Sequence, residues 1–263
     1  MKLKEFDINY QIAIHAAIDA GKVIMQYYLG EFHSEKKSDG SPVTVADIHS
    51  SKVIRGFLEE TNIPIIDEEI HNSDYQTRRS WTECWLVDPL DGTMEFIRKS
   101  DEFSVNIALI RNNQPIFGLI ASPVQKYVMF GGPEIGLFEW YYDTDENIET
   151  PKIKSFDPEY CRVVSSKTYG YGEVQKFCDD LRKSYKNVEL YKRGSALKFF
   201  DLAKNEAQFY PRFGPTMEWD IAAGHAILLA VGGAVDNAVS GKALTYNKTN
   251  LVNPQFLAKT GVE

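Results

Sequence analysis

Only three of the 263 residues are cysteine, at positions 84, 161 and 178, and no two share a Cys-x-x-Cys spacing. An odd, scattered set of thiols excludes a disulfide framework, so each is expected to be an ordinary buried or half-buried thiol of a reducing compartment. Basic charge is also short: 29 Lys and Arg stand against 37 Asp and Glu, a formal net charge of −8. That excludes a nucleic acid polymer as partner, because such a partner needs a basic face. No run of eighteen apolar residues occurs, so no integral membrane segment is expected. The opening Met1-Lys-Leu-Lys-Glu-Phe-Asp7 lacks the apolar stretch and cleavage site of a secretory signal. A cytoplasmic protein is expected, with peripheral attachment to the inner face of the cell membrane left open, and a monomer and a homodimer fit equally.

Several catalytic signatures are missing too. Six positions after Cys178 stands Ser184, not the arginine of a cysteine phosphatase loop, and Asp143-Thr-Asp-Glu-Asn147 lacks the Thr or Val of an aspartyl-phosphate enzyme. There is no Gly-x-x-x-x-Gly-Lys, Gly-x-Gly-x-x-Gly, His-Glu-x-x-His or calcium-loop pattern. His15, His33, His49, His71 and His225 share no ligand spacing. They read as structural or solvated side chains.

What is present suits a compact enzyme. A hydrophobic content of 43% with 13% aromatics is enough to bury a sizeable core. Residues 8–29 carry apolar side chains at helical spacing and stop at Gly30, a natural helix terminator. Phe32 to Lys37 and Ser41 to Thr44, joined through Asp39-Gly40, predict a hairpin leading into a helix that begins near Thr44 and carries Asp47. From Phe103 to Tyr142, apolar segments broken at turn residues predict an antiparallel meander. The polar, acidic stretch Thr144 to Pro158 predicts a linker, giving an N-terminal α+β lobe over 1–150 and a C-terminal α/β lobe over 151–263. In the second lobe strand-like runs (161–165, 188–191, 207–210) alternate with helix-like ones (171–184, 195–204, 219–231), as layered packing requires.

The chemistry concentrates in Asp88-Pro-Leu-Asp-Gly-Thr93. The apolar run Cys84 to Val87 reads as a buried strand that delivers Asp88 at its end, with Pro89 stopping the strand. Gly92 lets the backbone approach a ligand, and a helix opening near Thr93 aims free N–H groups at a phosphate. An isolated Asp-Gly is usually just a turn. Here it is joined by Asp47 at a helix start, Glu68 and Glu69 after the apolar run Ile63 to Ile66, and Trp219-Asp220 opening a further helix.

The set Asp47, Glu68-Glu69, Asp88-Pro-Leu-Asp-Gly-Thr93 and Trp219-Asp220, with eleven residues between it and Gly232-Gly233, resembles the inositol monophosphatase superfamily of magnesium-dependent, lithium-sensitive phosphatases. Within it the chain is similar to the 3'(2'),5'-bisphosphate nucleotidases, on the stretches Asp91 to Ile97, Glu102 to Leu109, Gly194 to Phe199 and Tyr210 to Thr216. The resemblance runs from about Ile8 to Leu257. It implies an α+β fold, a layered αβαβα sandwich with mixed sheets in two lobes and the metal site between them.

It further implies two or three Mg²⁺ ions, one held by Glu68, Asp88 and the backbone oxygen of Leu90, a second by Asp88, Asp91 and Asp220. Converging carboxylates need such ions, since a pair about 4 Å apart repels by roughly 4 kcal/mol at an effective dielectric near 20, and oxygen ligands are what Mg²⁺ prefers. Asp47, Glu68 and Thr93 would orient and deprotonate the attacking water. Glu68, Leu90, Asp91, Gly92, Thr93, Ser195, Lys198, Arg212 and Asp220 would contact substrate, with the Gly92 and Thr93 amides on the phosphoryl oxygens. Arg193 is a further candidate for a second phosphate. Ser195 is equally suited to capping a helix from Ala196, while Phe199 and Phe200 read as core.

The implied substrate is adenosine 3',5'-bisphosphate, a small molecule, converted to AMP and phosphate, with lithium and calcium inhibiting. Inositol phosphate, fructose bisphosphate or a catalytically silent nucleotide-binding regulator are the alternatives. Two departures from the family pattern bear on this: Asp67 stands before the Glu pair where a small residue is usual, and Met94 stands where the nearest relatives often carry Lys.

Overall fold

The computed structural model describes residues 1–30, 34–36, 42–70, 72–144, 147–167 and 171–261. Helix α1 covers Ile8–Leu29, with the Asp7 carboxylate accepting from Asn9 N at its start and Gly30 at its end. Strands β1 (Ser34–Lys36) and β2 (Pro42–Thr44) pair antiparallel. The expected Asp39-Gly40 turn between them lies outside the described residues, as do His33 and His71. Then come α2 (Val45–Leu58), β3 (Ile65–Asp67), α3 (Tyr75–Arg78), β4 (Glu83–Asp91), α4 (Thr93–Ile97), β5 (Ser104–Arg111), β6 (Gln114–Ser122), β7 (Tyr127–Gly132) and β8 (Gly136–Tyr141). The second half holds β9 (Tyr160–Ser165), α5 (Tyr171–Leu181), β10 (Asn187–Lys192), α6 (Lys198–Ala203), β11 (Phe209–Arg212), α7 (Glu218–Leu229), β12 (Ala234–Asn237) and β13 (Phe256–Lys259).

These form an α+β fold with two mixed sheets. The six-stranded sheet runs β3-β4-β5-β6-β7-β8, parallel only at β3–β4, and the five-stranded sheet runs β10-β9-β11-β13-β12. The meander expected over 103–142 is β5 to β8. The period-two rule sets the layers. Trp85, Val87, Val105, Ile107 and Leu109 pack with Ile14, Ile24 and Ile54 of α1 and α2. Their neighbours Cys84, Leu86, Ala108 and Ile110 pack on the other face with Ile221, Ala222 and Ile227 of α7. Helix α7 is buried on nearly all sides because it is a middle layer, covered by both sheets.

One sequence expectation needs correction. Pro89 does not stop its strand: β4 continues to Asp91, with its register against β5 shifting between Asp88 and Asp91. A proline is tolerated at such an irregularity because the ladder skips its missing N–H. The antiparallel return of β12 and β13 was also not anticipated; both are four residues long, too short to show a period. The stretch from 144 to 158 contributes no named helix or strand among the described residues, yet it is docked. Ile148 is buried and its N–H donates to Met1 O, and Glu149 bridges to Glu139 of β8.

The contact between β6 and α7 depends on Gly118. A Cβ there would fall 2.3 Å from Ala223 O and 2.7 Å from Ala223 Cα. Both neighbours are backbone and cannot rotate away. Gly118→Ala is therefore expected to cost about 3 kcal/mol, lowering the melting temperature by roughly 6–12 °C; a melt shifted by less than 2 °C would show that α7 moves freely.

Candidate active site

The acidic side chains arrive from strand ends and helix starts. Strand β3 ends at Asp67, beside the end of β4 with which it pairs in parallel. Asp67 is fully buried and its carboxylate is occupied: Ser51 Oγ donates to Oδ2 at 2.7 Å and Glu69 N to Oδ1 at 2.8 Å. The extra acid therefore serves to hold the Glu68-Glu69 turn. Its backbone adds a two-way clasp with the Asn72 amide.

Glu68, Asp88 and Asp220 each offer a carboxylate oxygen within 4.8 Å of the others. Asp91 lines the same cavity but is not one of that trio. Burial, then the charges of Glu68, Asp91, Asp220 and Asp47, push the Asp88 carboxyl well above the usual carboxylate range. Asp220 is raised for the same reasons, burial first and then Asp91 and Glu68. A dication in the pocket would reverse that penalty. The donor set is all oxygen, with the Asp220 carboxylate additionally oriented by Met217 N at 2.8 Å. These residues fit a hard ion such as Mg²⁺ better than a softer one.

Asp47 and Thr93 form a second unit. Asp47 is buried, and its Oδ2 accepts from Thr44 N at 2.8 Å and Thr44 Oγ1 at 2.6 Å, a capping box that opens α2. Its Oδ1 accepts from Thr93 Oγ1 at 3.1 Å. Thr93 lies 3.4 Å from Leu90 O and opens α4, preceded by Gly92 at φ +90°. A side chain at Gly92 would be strained by that backbone and would meet Glu102 O at 3.0 Å.

The remaining wall comes from the second half of the chain. Ser195, Lys198, Arg212 and Asp220 line one cavity of about 320 Å³ with Glu68, Asp88, Leu90, Asp91, Gly92 and Thr93. Lys198 is almost fully buried, and burial lowers its ammonium to about 8, with Asp91 opposing the shift. Its Nζ donates to Arg193 O at 3.3 Å and to Ser195 O. Arg193 is elsewhere, paired with Asp201. Ser195 does not cap α6, which begins at Lys198. It sits in the left-handed region at φ +55°, and its hydroxyl donates to Asp91 Oδ2 at 2.8 Å. Met94 is exposed at the cavity's edge, and Phe199 and Phe200 belong to the core.

Ser104 and Asn106 were not anticipated. Both are fully buried, facing β4 opposite Asp91 and Asp88. Their signal was available: two polar residues at alternate positions in the otherwise apolar run Ser104-Val-Asn-Ile-Ala-Leu-Ile110. Among the described residues no helix is long and apolar enough to cross a membrane, and all three cysteines are buried and free.

Residues 7–261 match the model of the inositol monophosphatase family. A 3'(2'),5'-bisphosphate nucleotidase CysQ of Salmonella typhimurium is 39% identical over 245 residues, covering 91% of this chain and 95% of that relative. The same-named protein of Haemophilus influenzae is 32% identical over 260 residues, 98% and 94% of the two chains. Among solved structures, CysQ from Bacteroides thetaiotaomicron superposes with a TM-score of 0.86 at 38% identity, covering 98% of this chain and 99% of that one.

Proposed function

Because this chain belongs to the inositol monophosphatase family, we propose that it is a magnesium-dependent phosphatase that removes the 3'-phosphate of adenosine 3',5'-bisphosphate, giving AMP and phosphate. The observation that carries the reading is one cavity with two chemistries: carboxylates of Glu68, Asp88 and Asp220 within 4.8 Å of one another, and Lys198 and Arg212 in the same lining. A bisphosphate suits both, one phosphate meeting the acidic end through cations and the other meeting the basic side chains. Relatives named 3'(2'),5'-bisphosphate nucleotidase support it at 32–39% identity.

In this reading Glu68, Asp88 and Leu90 O would hold one Mg²⁺, and Asp88, Asp91 and Asp220 would hold a second. Bound there, Mg²⁺ supplies charge neutralisation for the phosphoryl oxygens and makes water more acidic. The chain does the rest. The amides of Gly92 and Thr93 orient the phosphoryl group, and Glu68 and Thr93 position the attacking water. The water oxygen attacks phosphorus while the P–O3' bond breaks in line; its proton passes through Thr93 Oγ1 to Asp47 Oδ1, and the 3'-oxygen takes a proton from solvent. Lys198 and Arg212 hold the 5'-phosphate. Residues 1–150 and 151–263 act as two lobes in this scheme, the second contributing Asp220 and the anion-binding pair. Three free, buried thiols suit a cytosolic location.

Phosphate release from adenosine 3',5'-bisphosphate, inositol monophosphate and fructose 1,6-bisphosphate, each with and without chelator, tests the reading. A tenfold or greater preference for inositol phosphate would reverse the substrate assignment. A pH profile adds a finer check. Lys198 is charged below about 8 and neutral above it, so kcat/KM for the bisphosphate should fall as pH rises through that value. Lys198→Arg should remove that alkaline fall, because guanidinium stays charged; an identical profile in the variant would take Lys198 out of substrate binding.

A further inference from the structure

One oxygen of Asp91 is the meeting point of three residues. Asp91 Oδ2 accepts from Ser195 Oγ at 2.8 Å, from Asn106 Nδ2 at 3.3 Å, and from the Ala196 amide. Ser104 Oγ closes the ring, 2.8 Å from Asn106 Oδ1 and 2.6 Å from Ser195 Oγ. Among the described residues no hydrogen bond reaches Asp91 Oδ1.

Position explains the ring. On β5, Ser104 is in register with Asp91 and Asn106 with Asp88, and the irregularity of β4 between those two acids lets the Asn106 amide reach along the strand to Asp91. Ser104 and Asn106 are two residues apart, hence on one face, and both are completely buried. Burying a hydroxyl and a carboxamide costs free energy unless each is bonded. Here one carboxylate oxygen accepts from both the Asn106 amide and the Ser195 hydroxyl, which sets their direction.

We propose that Ser104 and Asn106 are positioning residues for the metal site: Asn106 through its own bond to Oδ2 of Asp91, and Ser104 through its contacts with Asn106 and Ser195, fix the Asp91 carboxylate plane and leave Oδ1 for the ion. Neither touches the reacting atoms. This rests on the magnesium reading above and extends it to residues outside the ligand set. Partners one bond removed from a ligand govern its orientation, and losing one typically costs roughly tenfold to a hundredfold in metal affinity. The ring also ties Asp91 to the Ser195-Ala196 turn, whose left-handed Ser195 would otherwise be a strained conformation without compensation.

The test is calorimetric titration of Mn²⁺ into chelator-stripped protein, with melting curves of the metal-free forms. Wild type should bind. Ser104→Ala and Asn106→Leu, the latter close in size to asparagine, should each bind roughly tenfold to a hundredfold more weakly, and Ser104→Thr, which restores the hydroxyl, should recover most of the loss. A role confined to packing would lower melting temperature and leave Mn²⁺ affinity unchanged. That result, or Ser104→Thr binding as weakly as Ser104→Ala, overturns the proposal while leaving the metal reading intact. Wild-type protein that binds no Mn²⁺ overturns both. Should Asn106→Leu fail to fold, the serine pair decides alone.

Discussion

Asp88→Asn is expected to abolish magnesium-dependent turnover, a loss of at least about a thousandfold in kcat/KM, or about 4 kcal/mol of transition-state stabilisation, and at the same time to stabilise the metal-free protein. The first effect follows from its offering a carboxylate oxygen within 4.8 Å of those of Glu68 and Asp220. The second follows from the sign of its titration. Its folded-state carboxyl is raised well above the usual range, by burial first and by four neighbouring carboxylates next. A raised carboxyl contributes stability that is complete below the unfolded value of about 3.9 and is lost as pH climbs through the folded value. Metal-free wild type should therefore weaken between acid and neutral pH, and Mg²⁺ should restore it. Asparagine carries no charge, so the variant should melt several degrees higher in chelator at neutral pH and show a much smaller rise with Mg²⁺. Differential scanning at several pH values, with and without Mg²⁺, reads both; a variant that melts lower than wild type in chelator would mean the acids do not repel one another as their burial requires.

Asp47→Asn should act on kcat rather than on binding. General-base roles contribute roughly a hundredfold to ten-thousandfold, and in the proposed scheme the proton reaches Asp47 through Thr93, 3.1 Å from its Oδ1. Its other oxygen caps α2 through Thr44. An asparagine has one acceptor oxygen for these two tasks. Losing the cap costs about 1 kcal/mol, so a small drop in melting temperature should accompany the kinetic loss, with KM nearly unchanged. Thr93→Ala should show a comparable fall in kcat with the α2 cap intact. Since both residues serve one proton path, the double variant should lose no more activity than Asp47→Asn alone. Fully multiplicative losses would assign the two side chains to separate tasks.

Helix α1 shows where local sequence is enough. Apolar side chains at helical spacing and a Gly at the far end gave its limits of 8 and 29 before any tertiary contact was considered. The meander of β5 to β8 was likewise legible, because turn residues break long apolar runs. Strand β4 was legible only in part. Proline's missing donor argued for a stop at 89, and only the shifted register against β5 explains why the strand runs on.

Ser195 and Asp67 make the same point for the site. Serine is a good cap in isolation, yet Asp91 across the cavity decides what its hydroxyl does. Asp67 reads as surplus negative charge until Ser51 and Glu69 N appear around it. By itself the sequence determined the inventory: which acids stand beside strand ends and helix starts, the phosphate-ready Gly92-Thr93 turn, and the family these resemble. Only the tertiary structure decided which carboxylate oxygens converge, which are already occupied and which cations share their cavity. Periodicity and capping act over a few residues, whereas hydrogen-bond partners such as Ser195 for Asp91 come from 104 positions away and are fixed by the packing of two sheets around α7.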